Sequence, residues 1–237
     1  MQVAAEAIHP EEQLDFIDMA AKGGIIMYPL YALSFVAVFI FAERFAAIRR
    51  ALRIDENFMH SIREHIVENR SDAAISLCQS QSTPIARMIE KGVKRIGRPL
   101  SDIQSTVENV GNVEIARLEK GLSMLATVAG GAPMLGFLGT VTGMIRAFFN
   151  MEHAGNNLDI SLLSGGISEA MVTTVGGLIV GIIAYFGYNY LTSRISAVVH
   201  KLETTTIEFM DILYYQNEKT VAPQPQPKKT ASRKKEE

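Results

Sequence analysis

The chain has 237 residues, Lys+Arg 23 against Asp+Glu 25, and 48% hydrophobic residues, for a formal net charge of −2. That balance excludes a nucleic-acid binder working through a basic field. The single cysteine, Cys78, excludes an intramolecular disulfide and any CxxC metal or redox site.

The charges are distributed unevenly. Between Gly121 and Ser193 only Arg146, Glu152, Asp159 and Glu169 are charged, and 13 of the 18 glycines lie there. That is the composition of a bilayer segment, because spanning a roughly 30 Å hydrocarbon core takes about 20 apolar helical residues.

In chain order, residues 1–22 contain HPEEQLDFIDMAAKGG, with Pro10 suited to a first helical turn and Leu14, Ile17 and Met19 towards one side. The pattern predicts a short amphipathic helix at the outer membrane surface, a frayed acidic tail being the competing reading. Gly23 to Ala42 is a charge-free run of 20 residues that predicts a first transmembrane helix over 23–43. A signal peptide would need a basic leading region, and acidic residues precede this run instead. Arg44, Arg49, Arg50 and Arg53 follow it closely, which sets the N-terminus outside and residues 44–100 in the cytoplasm.

Within 44–100, Ser71 is an expected N-cap, Thr83-Pro84 a cap and first-turn pair, and Gly92, Gly97 and Pro99 an exit. Ser101-Asp102-Ile103-Gln104 has the form of a capping box, and Ile103, Val107, Val110, Ile115, Leu118 and Leu122 keep a helical period into the next apolar run. One long helix is predicted over 101–149, including a second span, then an outer loop over 150–160. A second long helix is predicted over 161–216, its period continued by Val198, Leu202, Thr205, Phe209 and Ile212 past a third span. Residues 217–237, rich in Pro, Gln and Lys, read as a disordered cytoplasmic tail. Its Lys228, Lys229, Arg233, Lys234 and Lys235 read as solvated, with attraction to anionic lipid as the alternative. The expected fold is an all-α membrane protein with three transmembrane helices, N-out and C-in, two of them extending into a cytoplasmic helical bundle.

Function is most legible inside the spans. Gly136, Gly139, Thr140, Gly143 and Ala147 make one small-residue face, and Gly177 and Gly181 a second, which predicts close helix packing. Pro133 frees the carbonyl of Ala129 and should bend the second span. Glu169, an ionisable group within apolar sequence, marks an ion path by default, with an interfacial carboxylate as the competing reading. At 100° per residue Thr173, Gly176 and Val180 share its face and Thr174 lies on the flank, while Thr140 brings a third hydroxyl from the other span. A carboxylate with hydroxyls among close-packed helices suits a relay for protons or a cation, completed by a second acid from a partner. Arg146 is expected to snorkel to the outer interface. His9, His60, His65, His153 and His200 show no metal-ligand spacing. Neither a nucleophilic triad nor a phosphate loop is visible, so no enzyme activity, metal or cofactor is expected.

The stretches LATVAGGAPMLGFLGTVTGMIRAF, Leu125 to Phe148, and GISEAMVTTVGGLIVGIIAYFGYN, Gly166 to Asn189, resemble the two signature helices of the ExbB/TolQ/MotA proton-channel family, its ExbB branch most closely. The first span, YPLYALSFVAVFIFAERF, is similar to that family's first helix.

The resemblance implies a subunit of an energy-transducing complex in the bacterial inner membrane. It implies a homopentamer around single-span ExbD-like partners, using the proton-motive force to energise a TonB-like protein and outer-membrane transport. Thr140 matches the threonine of the family's G-T-V-x-G motif, Glu169 the glutamate of G-I-x-E-A, and Thr174 the threonine five positions on; these are implied to line the proton path, facing a partner aspartate. Ile183 stands where the ExbB branch commonly has proline, so the kink that proline makes should be absent or moved to the glycines. A TolQ-like subunit of the Tol-Pal envelope system and a passive membrane scaffold are the alternative readings.

Overall fold

A computed structural model describes residues 23–53, 57–153 and 160–221. These form seven helices: α1 Met27–Ala51, α2 Phe58–Val67, α3 Ser71–Ser80, α4 Pro84–Val93, α5 Leu100–Glu119, α6 Leu122–His153 and α7 Ile160–Val221. Among the described residues there is no strand. The chain divides into two compact units, one of Met1–Ala47 with Glu119–Arg194, the other of Ile48–Leu118 with Ile195–Glu237.

In the first unit a turn at Gly24, with φ +64°, leads into α1, and the Met27 N–H donates to the Gly24 carbonyl at 3.2 Å. Helix α6 buries Leu125, Val128, Ala132, Gly136, Gly139, Gly143 and Ala147, steps of three and four residues that keep one face inward. Ala170, Thr173, Gly177, Gly181, Ala184 and Leu191 are the corresponding buried face of α7. The opposite faces expose large apolar side chains, among them Phe35, Met134, Phe137 and Phe186. Met27–Ala51 and stretches within Leu100–His153 and Leu163–Gln216 are long and apolar enough to cross a membrane. The three candidate spans match the number expected from the sequence.

The second unit is built from large side chains. Phe58, Ile62, Ile66, Ile85, Met88, Ile89, Ile103, Val107 and Phe209 are almost fully buried. A Cβ on Gly92 would meet the Phe209 ring at 2.6 Å and Val107 Cγ2 at 2.8 Å, so the missing side chain makes room for an aromatic one. Gln216 Nε2 donates to the Ile66 carbonyl at 3.0 Å and to Asn69 Oδ1 at 2.9 Å. Burial, helped by the nearby Glu90 charge, pushes the Cys78 thiol up to about 12, which leaves it a small apolar filler.

The helix ends partly depart from expectation. Thr83 caps α4 as predicted, its Oγ1 accepting from the Ala86 N–H at 3.2 Å, with Pro84 in the first turn. Ser71 does not cap: Arg70 holds the cap position without a side-chain bond, and Ser71 is the first helical residue. The Ser101 capping box also fails, because α5 begins at Leu100 and the Pro99 carbonyl takes the Asp102 and Ile103 N–H groups. The expected uninterrupted helix over 101–149 is two helices, α5 and α6, separated by Lys120 and Gly121. Gly121 sits at φ +87°, a left-handed conformation that no helix interior tolerates and that glycine adopts at least cost. Helix α7 runs unbroken through Gly181–Ala184, so Ile183 keeps the helical bond a proline would remove. The predicted N-terminal helix over 1–22 and most of the loop and tail lie outside the described residues.

Candidate functional site

The site grows from the contact between α6 and α7 in the first unit. A Cβ on Gly177 would lie 2.6 Å from the Ala132 carbonyl oxygen and 2.8 Å from Gly136 Cα, so backbone meets backbone there. Further along the helices, a Cβ on Gly143 would lie 2.8 Å from Ala170 Cβ, and one on Gly166 2.7 Å from Ala147 Cβ. At the other end a Cβ on Gly181 would meet the Pro133 ring at 2.5 Å and the Ala129 carbonyl oxygen at 3.1 Å. Pro133 lies inside α6 without ending it, and the carbonyl it deprives of a helical donor faces the side-chain-free surface of Gly181. Such close approach is what small residues provide where lipid gives apolar side chains no reason to desert it.

Two polar tiers interrupt this apolar contact. In the first tier Thr174 Oγ1 donates across the interface to the Gly136 carbonyl at 3.0 Å and lies 3.4 Å from Thr140 Oγ1. A hydroxyl has one proton, and the shorter contact takes it. Thr140 Oγ1 donates in turn to the Phe137 carbonyl at 2.6 Å. The second tier is Glu169, whose Oε1 is 3.6 Å from Arg146 Nη1; their side chains are 33% and 58% exposed. Thr140 precedes Arg146 by six residues, and Thr174 follows Glu169 by five, so the tiers are about 8 Å apart along the helices. Proton transfer needs heavy atoms within roughly 3 Å or a bridging water. The backbone rise between the tiers exceeds that reach.

The predicted residues therefore separate into two groups. Gly136, Gly139, Gly143, Gly177 and Gly181 are all at close helix contacts. Thr140, Thr174 and Glu169 form the two tiers. Thr173 stands on the face of Glu169 as the wheel predicts, yet it is only 2% exposed, fills the space beside Gly139, and its hydroxyl donates to the Ala170 carbonyl at 2.7 Å. Gly176 lies beside the Met27 side chain of α1, where a Cβ would stand 3.4 Å from the sulfur.

Two contacts of Glu169 were missed by the sequence reading. Arg146 pairs with Glu169, and the available signal was that these opposite charges each lie about two turns inside a helix end. Gly24 abuts the Glu169 carboxylate so closely that a Cβ would overlap Oε1. Nothing in one sequence shows that approach. Among the described residues no group of His, Cys, Asp and Glu could hold a metal ion.

Comparison with known proteins bears on the same helices. The sequence profile of the MotA/TolQ/ExbB proton channel family matches residues 80–204, more than half of the chain. The chain is 28% identical over 188 residues to a biopolymer transport ExbB homolog of Methanothermobacter thermautotrophicus, a match covering 79% of this chain and 66% of that protein, just under two thirds of it. It is 30% identical over 179 residues to the biopolymer transport protein ExbB-like 1 of Synechocystis, covering 75% and 70%. To the Tol-Pal system protein TolQ of Haemophilus influenzae it is 27% identical over 219 residues, covering 86% and 96%.

Proposed function

The chain belongs to the MotA/TolQ/ExbB proton channel family, and from that premise we propose that it is the proton-path subunit of an energy-transducing complex in the bacterial inner membrane. It is a transport component and not an enzyme. The observation that carries the reading is the pair of polar tiers, Glu169 with Arg146 and Thr174 with Thr140, set in an interface otherwise closed by glycine and alanine.

Glu169 and the hydroxyls of Thr140 and Thr174 are the groups assigned to the path. Their separation of about 8 Å calls for a further acid, which fits a single-span ExbD-like partner presenting a membrane aspartate. The exposed apolar faces of α1, α6 and α7 fit lipid and further copies of the chain, with a pentamer as the expected ring. A proton crossing a field of 100 mV delivers about 2.3 kcal/mol per charge. Neutralising the partner aspartate releases its electrostatic hold on the ring, and the released motion is passed to a TonB-like protein and so to outer-membrane transport. A TolQ-like role in the Tol-Pal system is the second reading, favoured by the match over almost the whole of that relative.

Glu169→Gln keeps the shape of the side chain and removes its charge. In cells depending on this chain, proton-motive-force-driven uptake is expected to fall to background while the complex assembles at its normal size. Undiminished uptake would leave only the passive scaffold. Complementation of cells lacking either ExbB or TolQ, each with its own partner supplied, separates the two active readings.

A further inference from the structure

Within the described residues Arg146 and Glu169 are each other's only ion-pair partner. They come from different helices, α6 and α7. Two isolated charges placed at membrane depth each carry an insertion cost, whereas a pair of opposite sign carries less. The Glu169 carboxylate also lies against the backbone of Gly24. That glycine is required twice over: its φ of +64° is strained for any residue with a Cβ, and a Cβ there would occupy the position of Glu169 Oε1. The hydrogen bond from the Met27 N–H to the Gly24 carbonyl fixes the turn to the start of α1. The carboxylate thus has the guanidinium of α6 on one side and the bare backbone of the turn before α1 on another.

We propose that Arg146 and Gly24 are positioning residues for Glu169, Arg146 as the counter-ion that draws its carboxylate towards α6 and Gly24 as the side-chain-free backbone that gives the carboxylate its place. This rests on the reading of Glu169 as a proton-path group. Among the described residues no other cation is paired with Glu169. Among the described residues Glu152 has no ion-pair partner, His153 Nδ1 is hydrogen-bonded to the Phe149 carbonyl at 2.9 Å, and Tyr28 of α1 is largely exposed. The pair also couples helices. The contact joins α6 to α7 at the second tier.

The test uses the full chain in its complex and compares Arg146→Gln, Arg146→Lys, Gly24→Ala, Glu169→Gln and the double variant Arg146→Gln/Glu169→Gln. Energised uptake is expected to fall about tenfold in Arg146→Gln, the size of coupling seen between contacting charged groups. Arg146→Lys is expected to restore most of it. The double variant should be no worse than Glu169→Gln alone. The infrared carboxylate band of Glu169, isolated as the difference between wild type and Glu169→Gln, is expected to move in Arg146→Gln and in Gly24→Ala and to return towards its original position in Arg146→Lys.

An inactive Glu169→Gln beside a wild-type Arg146→Gln with an unmoved band overturns this inference and leaves the proton-path reading standing. An active Glu169→Gln overturns both. If Gly24→Ala does not assemble, the Arg146 variants and the band decide alone.

Discussion

Glycine does opposite work in the two units. In the second unit, Gly92 gives up its side chain so that Phe209 and Val107 have room, and the core remains one of large apolar groups excluded from water. In the first unit, Gly136 and Gly177 give up theirs so that two backbones touch, while the large apolar groups face outward. The difference follows from the solvent. Water drives large side chains inward; lipid does not, and helix pairing then depends on van der Waals contact and hydrogen bonds across a narrow gap.

The sharpest break of that comparison is enlargement at the narrowest contact. Gly177→Ala places a methyl group against the Ala132 carbonyl and Gly136 Cα, both backbone atoms that cannot rotate aside. Its cost is expected to exceed the roughly 1–3 kcal/mol of ordinary overpacking, seen as loss of folded protein on size-exclusion chromatography in detergent. Gly176→Ala, one position along and facing only the flexible Met27 side chain, is expected to be recovered at near wild-type yield. Equal yields would mean that the close α6–α7 contact does not hold the unit together.

The converse substitution should hurt the second unit. Phe209→Ala removes a ring that is fully buried and is expected to cost about 3–5 kcal/mol in denaturant unfolding. Phe137→Ala removes an outward-facing ring of the first unit and is expected to cost much less in detergent. Third in size is the buried carboxylate of the second unit. Glu114 is 4% exposed at its side chain and pairs with both Arg87 and Arg117. Glu114→Gln weakens two charge-assisted hydrogen bonds and is expected to cost about 2 kcal/mol, whereas Glu68→Gln, at a pair with Arg70 that is exposed on both sides, should change stability by under about 0.5 kcal/mol.

The same contrast explains what a single sequence reveals. Spans announce themselves by charge-free length, and the small faces of α6 and α7 by spacing, so Gly136, Gly139, Gly143, Gly177 and Gly181 were legible. Thr83-Pro84 was legible because a cap is local. Gly121 was not, since a glycine in an apolar period reads as tolerated until its φ is known. Nor was Gly24, whose role is set by Glu169, far along the chain. The wheel put Thr173 on the correct face but could not tell that the neighbouring helix would bury its hydroxyl. The pairing of Arg146 with Glu169 was not legible, because snorkelling is a property of one helix and ion pairing a property of two.

The smallest effect concerns pH and bears on how well the core of the second unit excludes water. Glu90 is held below its ordinary carboxylate range by hydrogen bonds from Lys94 and Gln79, so its contribution is present above about pH 4.5 and disappears as pH falls further. Glu90→Gln should flatten that acid limb only slightly, because the Lys94 side chain is 43% exposed. Cys78 acts at the other end. Its thiol ionises near the ordinary 9.0 in the unfolded chain and about 12 in the fold, so its contribution is complete below pH 9 and is lost as pH rises towards 12. The difference in unfolding free energy between wild type and Cys78→Ala is therefore expected to be flat from about pH 6 to about 9 and to fall above it. At about pH 8 the native thiol should react with a maleimide only as fast as the unit opens, and rapid labelling of the folded protein would show that water reaches the core at that position.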